Sequence, residues 1–112
     1  MTVQEKLSQF HRRIAELSIG EDKVKHYYHE RLKPPYLIWA EDGPSRNFNG
    51  DNRRCEWMAS VNIDYFTKTE YDPVFDEIQE LLNEMLGSRW RWDATQYEDG
   101  TGLIHHSWEC EV

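Results

Sequence analysis

Residues 57–87 read WMASVNIDYFTKTEYDPVFDEIQELLNEMLG, and a change of period inside them decides the fold. Trp57, Ala59, Val61, Ile63 and Tyr65 alternate with Met58, Ser60, Asn62, Asp64 and Phe66. This is the period of two of a strand whose faces meet different surroundings, one a core and the other partly wet. Beyond Tyr71 the spacing changes. Asp72 is an N-cap candidate and Pro73 sits at the first helical position, where a missing N–H leaves no hydrogen bond unmade. Val74, Ile78, Leu81, Leu82 and Met85 then recur at helical spacing until Gly87. Glu77, Glu80 and Glu84 fall on the outer side of that helix, toward water or a basic partner.

Upstream, Thr2 and Glu5 form a capping-box pattern, and Val3, Leu7, Phe10, Ile14 and Leu17 make one apolar stripe that runs to Gly20. A weak alternation from Lys23 to Tyr28 and a short apolar run from Tyr36 to Trp39, just after Pro34-Pro35, predict two strands. From Glu41 to Asn52 the chain is rich in Gly, Asn, Asp and Pro, which predicts its longest loop. Downstream, Trp90, Trp92 and Ala94 alternate with Arg89, Arg91 and Asp93. Residues 98–102 supply a turn, and Ile104, His106, Trp108, Cys110 and Val112 alternate back as the second arm of a hairpin. The predicted fold class is α+β: an antiparallel or mixed sheet of about four to five strands with two amphipathic helices packed on one face, in one domain over 1–112.

A chain of 112 residues suits one core, and five Trp, six Tyr and four Phe supply large apolar surfaces for it. The formal net charge of -8 and the pI near 5.0 argue against nucleic-acid binding as the main role, since phosphate binding needs clustered Lys and Arg. The basic cluster Arg53-Arg54 is short. Neither a long apolar run nor a signal-peptide pattern is present, so a soluble, intracellular protein is expected, with Cys55 and Cys110 as plain thiols.

No nucleophile elbow, phosphate loop or metal motif occurs, so the sequence predicts no catalytic, cofactor-binding or metal-ligating residues and no cofactor. His26, His29, His105 and His106 come nearest to a zinc environment. Successive strand residues point to opposite faces, however, which sends His105 and His106 apart. The acidic surplus makes a basic protein partner more plausible than an acidic one, and its bland counterpart is a solvated face that maintains solubility. Phe48, between Asn47 and Asn49 in the polar loop, either folds back on the core or projects into a partner. Met58 and Phe66 on the wet face of the main strand, with Arg89 and Arg91 on the next, pose the same question, and an interface is the predicted answer.

In order, the chain carries Pro35-Tyr36-Leu37-Ile38-Trp39, Asn47-Phe48-Asn49-Gly50-Asp51-Asn52, Asp64-Tyr65-Phe66-Thr67-Lys68, Asp72-Pro73 before an acidic helix, and a final Glu109-Cys110-Glu111-Val112. This order resembles the small tail-completion or tail-terminator proteins of siphophages. The resemblance implies a non-enzymatic α+β subunit of a homo-oligomeric ring, commonly a hexamer. Such a ring caps the tail tube and meets the head-completion or connector proteins. DNA passes through it without specific binding, and no membrane or small-molecule substrate is involved. The implied location is the virion head-tail junction, and the host cytoplasm during assembly. The alternative is an acidic inhibitor or immunity-type binding module.

Overall fold

A computed structural model of the chain describes residues 1–27, 31–45 and 58–112. Helix α1 (Val3–Ile14) opens on the predicted capping box: Thr2 Oγ1 accepts from the Glu5 amide at 3.1 Å, and Glu5 Oε1 accepts from the Thr2 amide at 2.9 Å. The helix closes at Ala15, earlier than the apolar stripe suggested. Tighter turns continue it, with the Leu17 amide on the Ile14 carbonyl and the Gly20 amide on the Leu17 carbonyl, and Leu17 still reaches the core. Helix α2 (Pro73–Leu86) starts at Asp72 with Pro73 in its first turn and stops at Gly87, whose φ of 62° suits a residue without a Cβ.

Strands β1 (Val24–His26), β2 (Tyr36–Pro44), β3 (Ala59–Thr67), β4 (Trp90–Glu98) and β5 (Leu103–Glu111) form one sheet in the order β1-β2-β3-β5-β4. β1 and β2 are parallel and all other neighbours antiparallel, so the sheet is mixed. Leu7, Phe10 and Ile14 of α1 and Ile78, Leu82 and Leu86 of α2 join Trp39, Val61, Ile63, Tyr65 and Trp108 in one core. Both helices therefore lie on the same face. Each large apolar side chain buried there contributes about 1.5–3 kcal/mol relative to exposure.

Three expectations are corrected. Glu41 to Pro44 are strand, not loop: Glu41 pairs with Val61, Gly43 with Ser60 and Pro44 with Ala59, with a register shift between Glu41 and Gly43. The turn-forming residues serve a bulge there, with Gly43 at φ 135°. β1 pairs only as far as Trp39, so Pro44 occupies a stretch of β2 where its missing N–H breaks no ladder. Second, Glu77 is drawn toward the N-terminal segment rather than simply outward, whereas Glu84 keeps the predicted exposed side while also pairing. Glu77 accepts from the Ser18 amide and hydroxyl, both at 2.7 Å, and Glu84 pairs with Arg13 at 3.2 Å, tying α2 to the N-terminal segment; Glu80 remains exposed. Third, Ala94 leaves the alternation of Trp90 and Trp92. Trp92 pairs with Trp108 and Ala94 with Ser107, so Asp93 is one residue too many and the faces exchange beyond it.

Candidate interaction surface

Strand alternation places the even-numbered residues of β3 on the sheet face away from both helices. Among the described residues no helix covers that face. Across it, Tyr36, Phe66, His105 and Gln96 form one row and Ile38, Asp64, Ser107 and Ala94 the next. The half-buried Phe66 ring stacks 4.8 Å from Tyr36 and 4.3 Å from His105, whose Nε2 donates to Asp64 Oδ1 at 2.7 Å. Such a row buries apolar area within the sheet, with Tyr36 itself buried, and no described helix lies above it.

The opposite end of the same face is polar. Arg91 donates to Glu109 at 2.6 Å and pairs with Asp93 at 3.3 Å, while Asn62 donates to Asp42 at 3.0 Å. Arg89 lies 3.9 Å from the Met58 sulfur and bonds the Leu86 carbonyl at 3.2 Å. A shallow depression of about 340 Å³ runs between Ser60, Arg89, Arg91 and Glu109. Of the residues singled out from sequence, Met58, Arg89 and Arg91 thus gather around Ser60 and Phe66 stands at the other end, about 20 Å from Ser60 along β3 at some 3.3 Å per residue. Asn47, Phe48 and Asn49 lie outside the described residues, as do His29, Arg53, Arg54, Cys55 and Trp57.

Strand β4 forms one edge of the sheet. Its residues are exposed except Trp90 and Ala94, which are half-buried, and Tyr97 projects with most of its ring in water. A nine-residue edge strand offers a row of unpaired backbone groups to another chain.

Two arrangements escaped sequence reasoning. Under α1, the His26 ring lies between Tyr27 at 3.7 Å and Trp39 at 3.9 Å, and His26 Nε2 donates to Glu41 at 2.7 Å. Tyr27 also donates to Glu41, and Trp39 Nε1 donates to His11 Nδ1 at 2.9 Å. Burial, then the nearby His26, lowers the His11 pKa, because a charged imidazole there is poorly solvated. Burial alone would raise the Glu41 pKa, but the bonds from Tyr27 and His26 outweigh it and hold the carboxyl low. This chain of groups fixes Tyr27 at a φ of 78° and supplies no activated nucleophile.

At the start of α2, Asp72 accepts from the Tyr65 and Thr67 hydroxyls, each at 2.7 Å, and from the Val74 amide at 2.9 Å. Burial would raise its pKa, yet the three donors prevail and lower it. The N-cap therefore also ties α2 to β3. The two adjacent histidines part as strand alternation predicts: His105 stacks on Phe66 on the open face, whereas His106 turns to the helix side, 4.6 Å from Phe75 and sharing a hydrogen bond with Thr95 at 2.8 Å. Burial lowers the His106 pKa more than neighbouring Asp72 raises it.

Among the described residues, no three His, Cys, Asp or Glu side chains converge to hold a metal ion. Cys110 is a buried free thiol whose pKa burial pushes up to about 12, which leaves it unreactive at neutral pH. No described helix is long and apolar enough to cross a membrane. No protein-family model matches the chain, and a search of curated proteins finds no significant relative.

Proposed function

We propose that the protein is a structural subunit of a tailed-bacteriophage virion, assembling into a ring that terminates the tail tube and joins it to the head connector. The observation that carries this reading is the one-sided sheet: both helices pack on one face, and the other presents the Phe66 row at one end and the Arg89 and Arg91 end opposite. A half-buried aromatic on a sheet face that no described helix covers suits an interface, and heterologous contacts between copies close a ring when their rotation allows it. The long free edge of β4 adds a second surface for association. The proposed partners are further copies of the chain, the tail tube protein and head-completion proteins, at the head-tail junction of the virion. The role makes and breaks no covalent bond, and DNA would pass through the lumen without specific contacts.

Light scattering on the size-exclusion peak across protein concentrations, with negative-stain images, tests this. A closed ring, alone or after addition of a tail tube protein, is expected. A chain that stays monomeric and ignores tail tube and connector proteins would overturn it. The second reading, an acidic inhibitor or immunity-type module, draws on the net charge of -8. It requires a strict monomer that binds a basic enzyme with strongly salt-dependent association.

A further inference from the structure

We infer that the groove between the start of α2 and the β4–β5 hairpin is a docking site for a basic protein segment that inserts one apolar side chain against Phe75 and Trp92. The groove lies on the helix side of the sheet, on the opposite face from the Phe66 row, and holds about 500 Å³. That volume is within the range of pockets that bind small ligands or single anchoring side chains. Phe75, Trp92, Ile104 and His106 line it, and Glu70, Tyr71 and Asp76 stand at its rim.

The aromatic lining is held in place before any partner arrives. The register shift after Trp92 puts Thr95 on the same face, and Trp92 Nε1 donates to the Ala94 carbonyl at 3.2 Å and to Thr95 Oγ1 at 3.1 Å. The indole is thereby satisfied at its one polar atom while 52% of the residue stays exposed, so the surface it offers is hydrocarbon. Phe75 meets Trp92 edge-on at 5.6 Å and lies 5.2 Å from the fully buried Trp108. An aromatic already fixed by its neighbours loses little conformational freedom on binding, which is the property of an interface anchor. Tyr71 stands at the rim 92% exposed, with a φ of 57° that a bulky side chain rarely adopts.

Charge identifies the occupant. The groove lining includes Glu70, Asp72 and Asp76 but no Lys or Arg. Asp72 is consumed by Tyr65, Thr67 and Val74, which leaves Glu70 and Asp76 to act on whatever enters. An apolar anchor flanked by Lys or Arg satisfies both the aromatic floor and the acidic rim, whereas a nucleic acid or an anionic lipid surface would be repelled. The site does not depend on the ring reading, because it lies on the other face of the sheet.

A random peptide library displayed on ribosomes, selected against the immobilised full chain, tests the inference. Enriched peptides should carry a large apolar residue flanked by Lys or Arg and bind less tightly as salt rises. Affinity should fall roughly tenfold or more in Trp92→Ser and in the double variant Glu70→Lys/Asp76→Lys. Both changes are at exposed positions, and circular dichroism checks that the variants fold. Phe66→Ser should leave peptide affinity unchanged while impairing ring assembly, which separates failure of this site from failure of the ring. The inference is overturned by no enrichment, by acidic consensus peptides, or by peptides that bind Trp92→Ser as tightly as the parent. A concentration-dependent dimer that Trp92→Ser dissolves, with no peptide binding, would also overturn it by making a second copy the occupant.

Discussion

The two faces of β3 differ in what their contacts accomplish. Toward the helices, Val61, Ile63 and Tyr65 are wholly removed from water, and the Tyr65 hydroxyl ends on Asp72. Away from them, Asn62 and Asp64 pair with single exposed or half-exposed partners, and Phe66 stacks in a row of rings with nothing above it among the described helices. Exposed pairs of this kind are worth little, typically about 0–1 kcal/mol. The covered face thus holds the fold together, and the open face can change partners at small cost. The same contrast recurs within one cross-strand pair, since Trp108 is fully buried and its β4 neighbour Trp92 is half exposed.

The sharpest break of that contrast is Trp108→Ala. Loss of a fully buried indole is expected to remove about 4 kcal/mol, against about 1 kcal/mol for Trp92→Ala, as read from guanidinium midpoints. Equal losses would mean that burial does not distinguish the two positions. Next in size, Asp72→Ala should cost about 3 kcal/mol, combining a lost N-cap with two stranded buried hydroxyls. Asp64→Ala on the open face should stay within about 1 kcal/mol in the same assay.

Acid titration probes the covered face from another side. His11 and His106 are lowered from 6.5 chiefly by burial, so the unfolded chain binds more protons than the folded one as pH falls below that value. Stability should hold above pH 6.5 and decline below it through the folded pKa values. Protonation of His11 at Nδ1 would also deprive the Trp39 N–H of its acceptor. The lowered Glu41 and Asp72 extend the decline at still lower pH, as their carboxylates are neutralised in turn. The dependence of denaturant midpoints on pH just below 6.5 should flatten in His11→Gln/His106→Gln, and an unchanged slope would assign the acid sensitivity elsewhere. The smallest effects on stability belong to Phe66→Ser, about 1 kcal/mol, and Arg91→Ala, under about 1 kcal/mol. In sedimentation experiments both should nonetheless weaken self-association. Unaltered assembly would remove the open face from the proposed ring contact.

Much of the architecture was legible because its signals are local. The alternation around Ile63, the Asp72-Pro73 start and the Gly87 stop each follow from the backbone preferences of a few neighbouring residues, and each appears in the structure where expected. Residues 41–44 were misread because Asp42-Gly43-Pro44 is turn chemistry in isolation. It becomes strand only because β3 supplies a ladder and β1 stops short. Glu84 is solvent-exposed as helical geometry indicated, but nothing in the spacing of Glu77 and Glu84 foretold Ser18 and Arg13 across the helix pair.

The candidate surface divides in the same way. Parity along a strand placed Met58 and Phe66 on one wet face, and the hairpin register added Arg89 and Arg91 to it. The stack of Tyr27, His26 and Trp39, the His11 acceptor and the groove at Trp92 depended on side chains brought together from distant segments, and in the last case on one extra residue that reverses a strand's faces. By itself the sequence determined which segments are helix and strand and which sides of them are apolar, since periodicity is a property of adjacent residues. Only the tertiary structure decided which of the remaining polar and aromatic groups meet, because those encounters are set by sheet order, register and the packing of two helices on one face.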